Sequence, residues 1–166
     1  MAKQVIDTLI HLCIMFALSL VNGCHDIGGG SPIPPDTSTQ VTITQGVWGN
    51  VWFWEGNFMP GSASGTITPV RRELLVFEAT RVDSAVRSRD GGFYLAIMTR
   101  FVARTTSNST GFFQITLPPG KYSVFVNEDK LFYASVSDGA GHLQPATVLP
   151  NSVTKVQIDI TYKAVY

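Results

Sequence analysis

Between Val153 and Tyr162 the chain alternates strictly. Val156, Ile158, Ile160 and Tyr162 fall on one side, and Lys155, Gln157, Asp159 and Thr161 on the other. A helix would throw residues two apart to opposite sides, so this pattern is a β-strand with one face in a core and one in water. Apolar, β-branched and aromatic runs of similar length recur upstream. They span Gly46 to Trp54, Leu74 to Val82, Phe93 to Thr106, Phe112 to Leu117, Lys121 to Val126 and Leu131 to Val136. Glycine (15) and proline (9) supply the turns between them,. Only Arg81 to Arg87 suits a short helical turn. About seven strands without a long helix predict an all-β fold, a β-sandwich over residues 45–166. The expected core includes Phe112, Tyr122, Val124, Val126, Ile158 and Ile160, with Lys155 and Asp159 exposed.

The N-terminus follows different rules. Lys3 supplies a positive start, and Thr8 to Val21 is a mostly apolar run of 14 residues. That is short of the roughly 20 residues a membrane-spanning helix needs, and it matches a signal-peptide core. The run closes in Leu20-Val21-Asn22-Gly23-Cys24, which resembles the lipobox of bacterial lipoproteins. The resemblance implies a signal peptide over 1–23 and a diacylglycerol on the Cys24 thiol. It also implies cleavage before Cys24 and acylation, typically with palmitate, of the new N-terminus. Several acyl chains on one residue make a stable membrane anchor, at about 0.8 kcal/mol per buried methylene. The alternatives are an uncleaved N-terminal anchor and an ordinary secretory signal. Residues 24–44 are rich in Gly, Pro, Ser and Thr, as in Gly28-Gly29-Gly30-Ser31-Pro32. They are expected to be a linker that tethers the domain to the cell envelope, with the outer membrane as the expected surface.

Charge narrows the partners. Twelve basic and twelve acidic residues cancel, and only 14% of the chain is charged. Phosphate backbones require a cationic surplus, so nucleic acid is not an expected partner. The two cysteines are Cys13 and Cys24. Once a signal peptide is removed, one remains, too few for a disulfide within the chain or a multi-cysteine zinc site.

The segment Ser109-Thr110-Gly111-Phe112-Phe113-Gln114-Ile115-Thr116-Leu117-Pro118-Pro119-Gly120-Lys121-Tyr122 carries a glycine–aromatic strand start followed by Leu-Pro-Pro-Gly-x-Tyr. It resembles the carboxypeptidase regulatory-like domain, a transthyretin-like (Ig-like) sandwich. Gly46 to Val51 with Met59-Pro60-Gly61, and the closing strand, are similar to that family's first and last strands. The resemblance implies a fold and no activity, because one fold hosts many functions. Within the phrase, two prolines interrupt the ladder, and Gly120 is expected to take the positive φ of a type II turn. Tyr122 is expected to bury its ring and hand its hydroxyl to a backbone group. The stretch from Arg81 to Asn108 is longer than simple members have and is expected to add a strand or a hairpin.

Chemistry-bearing residues are sparse. His25 lies beside the anchor, and His142 sits in the turn-rich Ser137-Asp138-Gly139-Ala140-Gly141-His142. No G-x-S-x-G or H-E-x-x-H motif accompanies them,. Glu128, Asp129 and Asp138 do not follow a calcium-loop spacing. Arg71, Arg72, Arg81, Arg87, Arg89, Arg100 and Arg104 are interleaved with Glu73, Glu78, Asp83 and Asp90, a mixed solvated face. The expectation is a non-catalytic structural or interaction module without a cofactor or metal. Its partners would be the membrane through Cys24 and an envelope protein or glycan. The alternative is a carbohydrate- or ligand-binding module using Trp48, Trp52 and Trp54, which share one face of the first strand while Val47, Val51 and Phe53 share the other. Residues 81–108 are expected to cover those tryptophans; if they do not, the rings form an exposed platform.

Overall fold

A computed structural model describes residues 36–61 and 64–166. The signal peptide over 1–23, Cys24 and His25 lie outside the described residues. The described chain is all β, with strands β1 (Gly46–Asn57), β2 (Thr66–Pro69), β3 (Glu73–Glu78), β4 (Ala85–Arg87), β5 (Phe93–Ile97) and β6 (Phe101–Thr106). They are followed by β7 (Phe112–Thr116), β8 (Gly120–Glu128), β9 (Leu131–Tyr133), β10 (Pro145–Val148) and β11 (Val153–Val165). Short 3-10 turns occupy Ser38–Gln40 and Val82–Ser84.

Two sheets form, each built on one long central strand. In the four-stranded sheet the centre is β1. The last strand, β11, runs parallel along one edge, pairing Val51 with Ile158. The other edge is shared: β7 takes Gly46 to Asn50, and β2 takes Trp52 to Glu55. Val51 bridges the junction, donating its N–H to Gly111 at 2.9 Å and accepting Val70 N–H at 3.2 Å. Gly111 has φ 76°, and a Cβ there would lie 2.5 Å from the Val51 carbonyl oxygen. The glycine of the glycine–aromatic phrase is thus a requirement of both backbone angle and space. In the seven-stranded sheet β8 is central, with β3 on one side and β9 and β10 sharing the other.

Period-two alternation aims both central strands at a common core. Val47, Val51, Phe113, Ile158 and Ile160 meet Leu74, Val76, Val124, Val126 and Tyr133. The six expected core residues are all buried. Full burial of such side chains contributes about 1.5–3 kcal/mol each. Lys155 is exposed as expected, while Asp159 is half-buried. The Tyr122 hydroxyl reaches the Pro118 carbonyl oxygen at 2.8 Å, as its position predicts.

Around its central strands β8 and β3 the seven-stranded sheet is buried on both faces. Phe77, Tyr94 and Phe125 point away from the first core and form a second one with Ala134 and Leu143. Curling explains how. In strand order β5 and β6 stand four places apart, about 19 Å in a flat sheet,. Ile97 and Phe101 are joined by four peptide steps, a reach of about 14 Å. The sheet must therefore fold back on itself, closing over its own outer aromatics.

Several expectations are revised. Eleven strands among the described residues replace about seven. The Phe93–Thr106 run is two strands broken at 98–100, and β2, β4 and β10 are too short to announce themselves. Arg81 to Arg87 holds a 3-10 turn followed by strand β4. Gly120 does not take a positive φ. It opens β8, and its missing side chain makes room for the Tyr122 ring, whose hydroxyl would lie 3.1 Å from an added Cβ. Residues 81–108 supply β4, β5 and β6 to the seven-stranded sheet, so they do not cover the tryptophans. The last part of the expected 24–44 linker is laid against the sandwich from Asp36 onward, as the hydrogen bonds below show.

Candidate functional site

Strand β1 places Trp48, Asn50, Trp52 and Trp54 on the outer face of the four-stranded sheet, because Val47, Val51 and Phe53 take the inner one. The structure brings the three expected site residues together, but not as a bare platform. Trp52 is 5% exposed, while Trp48 and Trp54 are half-buried. Across the sheet, Trp52 is flanked by Asp159 of β11 and Pro69 of β2. The Trp54 indole donates to Asp159 Oδ1 at 3.0 Å, and its ring lies 5.2 Å from Phe58. Phe58 in turn stacks on Tyr166. The Lys155 ammonium lies 5.2 Å from the Trp48 ring centroid, in cation–π range,.

The segment 36–42 lies along the same face. Thr37, 3% exposed, donates its hydroxyl to Asn50 Oδ1 at 2.7 Å. Thr42 and Gln114 exchange two hydrogen bonds, at 2.9 and 2.8 Å. Asn108 donates to Gln40 at 3.3 Å. The Ser38 N–H, with help from the nearby Lys155, holds the Asp36 carboxyl below its ordinary value. Polar residues in a Ser/Thr-rich stretch dock here because Asn50 and Gln114 offer partners on a sheet face.

His142 is committed to its own turn. Its Nδ1 lies 2.9 Å from Asp138 Oδ2, while Asp138 Oδ1 accepts the N–H groups of Ala140 and His142. The His142 N–H is the chief reason the Asp138 carboxyl sits below the usual range. This is an aspartate-stapled turn. Among the described residues no group of three His, Cys, Asp or Glu side chains is arranged to hold a metal ion. Of the seven arginines, Arg72, Arg81, Arg100 and Arg104 form ion pairs, with Glu128, Asp83, Glu78 and Glu73 respectively.

Sequence reasoning missed the ionic group at one open end of the sandwich. Glu128 is 6% exposed. Its Oε1 is bound by Arg72 Nε, and its Oε2 accepts the Tyr162 hydroxyl at 2.8 Å. The Arg72 guanidinium also lies 5.9 Å from the Phe53 ring centroid. Burial, and then the Glu128 carboxylate, push the Tyr162 phenol up to about 12. A signal was present: Glu128 continues the inward parity of Tyr122, Val124 and Val126, and Arg72 that of Leu74 and Val76.

No family model matches the chain, and neither a curated protein nor a solved structure matches it.

Proposed function

We propose that the chain is a lipid-anchored, non-catalytic β-sandwich displayed at the cell envelope, acting as a structural or interaction module. The observation that carries this reading is the run from Lys3 to Cys24, an export signal ending at an acylatable thiol,. The docked segment supports it. Eleven residues, 25–35, separate Cys24 from Asp36, a reach of about 40 Å even when fully extended,. The groups best suited to chemistry are bonded within the fold, His142 to Asp138 and Glu128 to Arg72 and Tyr162. The glycine–aromatic and Leu-Pro-Pro-Gly-x-Tyr phrases support kinship with the carboxypeptidase regulatory-like domains.

On this reading Trp48, Trp52 and Trp54 are packing residues. A second reading, ligand binding on their face, is favoured by the partial exposure of Trp48 and Trp54. The test of the anchor is fractionation of cells producing the wild type and Cys24→Ser. The wild type is expected in the membrane fraction, extractable only with detergent. The variant should be soluble or an unprocessed precursor. Identical behaviour of the two would refute the proposal.

A further inference from the structure

At the end of the sandwich where Glu128 is buried, a cavity of about 630 Å³ opens between two hairpin turns. One turn joins β4 to β5 and brings Arg89 and Asp90. The other joins β8 to β9 and brings Asp129. Phe93 and Tyr162, with ring centroids 5.1 Å apart, also line it. Its size lies within the ~300–1,000 Å³ of small-molecule sites.

The polar groups divide in two. Glu128 is satisfied by Arg72 and Tyr162 and contributes no free charge. Among the described residues, Arg89, Asp90 and Asp129 form no ion pair and no side-chain hydrogen bond. The cavity thus pairs an aromatic surface with one unpaired guanidinium and two unpaired carboxylates. A phosphate or carboxylate ligand would face the two free carboxylates, Asp90 and Asp129. A compact cation would be drawn to Asp90 and Asp129 but would leave the Arg89 guanidinium without an acceptor. A purely apolar ligand would desolvate all three free charges without replacing their hydrogen bonds, which costs free energy. A neutral polyol avoids each penalty. Its hydroxyls both donate and accept, so they suit carboxylates and a guanidinium together, and a pyranose ring offers a C–H face to aromatic rings.

We propose that this cavity is a saccharide site, with a neutral pyranose against Phe93 and Tyr162 and its hydroxyls bonded by Arg89, Asp90 and Asp129. The proposal goes beyond the envelope-module reading and does not depend on the anchor. It also places the sugar away from the tryptophans, which occupy the opposite face of the four-stranded sheet.

Saturation-transfer NMR on the full chain in detergent tests it, with methyl glycosides of glucose, galactose, mannose and N-acetylglucosamine and with their disaccharides as probes. At least one is expected to bind. Arg89→Ala with Asp90→Ala should weaken it tenfold or more with the melting temperature unchanged, since both side chains are exposed. Trp48→Ala should leave it unchanged, and tryptophan emission should not respond to the sugar. Absence of binding by every probe would overturn the proposal. So would binding that survives the double variant. Sugar-dependent quenching of tryptophan emission that is lost in Trp48→Ala would also overturn it and move the site to the tryptophan face. None of these outcomes bears on whether Cys24 is acylated.

Discussion

The phenol of Tyr162 donates to Oε2 of Glu128 at 2.8 Å, and Arg72 binds the other oxygen of the same carboxylate. Tyr162 comes from β11, Glu128 from the end of β8 in the opposite sheet and Arg72 from the connection just before β3, so the triad ties the two sheets together at one end. Glu128 is the buried member and Arg72 the partly exposed one. Removing one partner of a fully buried pair costs about 3–5 kcal/mol, and exposure reduces that. Arg72→Ala strands a buried carboxylate and is expected to cost about 2–3 kcal/mol. Glu128→Gln leaves an arginine that can reach water and should cost less. Urea unfolding midpoints of the two variants give the order, and the reverse order would contradict the assignment of Glu128 as the buried charge.

Titration supplies a second check on the same contact. The phenol has an ordinary value near 10 in the unfolded chain and about 12 in the fold. The fold therefore favours the protonated phenol. Its contribution is complete below pH 10 and is lost as pH rises from 10 towards 12. The stability of the wild type should fall across that window more steeply than that of Tyr162→Phe. Tyr166 is shifted in the same direction, chiefly by burial, so the difference between the two proteins is the informative quantity. Parallel pH profiles would mean that the hydroxyl does not hold its proton against Glu128.

Gly111 tests the junction on β1. Alanine there meets both a positive φ and the Val51 oxygen, and should destabilise by about 2 kcal/mol or more,. Gly139 has open space around it, so Gly139→Ala should stay within about 0.5 kcal/mol,. Thermal unfolding of the pair separates a general intolerance of alanine from this specific one.

Trp52 distinguishes packing from display on the outer face. Truncating a buried tryptophan costs about 3–5 kcal/mol, so Trp52→Ala should be strongly destabilised,. Trp48→Ala, half-buried, should lose less. A Trp52→Ala protein with wild-type stability would mean that the ring is not held by Asp159, Pro69 and their neighbours.

Much of this was legible in the sequence, and parity explains which parts. The alternation of β11 placed Ile158 and Ile160 correctly, and that of β1 placed the tryptophans opposite Val47 and Val51. The same parity put Arg72 and Glu128 inward. A charged residue in an inward position reads as a strand end until its partner, 56 residues away, is seen to pair with it. Tyr162 was placed on the inner face yet is 38% exposed, because the sandwich opens there into the cavity. The second core was hidden for another reason. The consecutive apolar residues Val124-Phe125-Val126 signal burial on both faces, but not what covers the second face. The cover comes from sheet curling and from Ala134 and Leu143, which depend on long-range topology. The docking of Thr37 and Thr42 was equally invisible, since a Ser/Thr-rich stretch looks solvated until Asn50 and Gln114 are found beneath it.

The proposed envelope role rests on Cys24, and the intact mass of the chain purified from the membrane fraction tests it most directly. The expected product begins at Cys24 and carries a thioether-linked diacylglycerol with an acylated amine. A chain that retains Met1, or one that begins at Cys24 with a free thiol, would contradict the account.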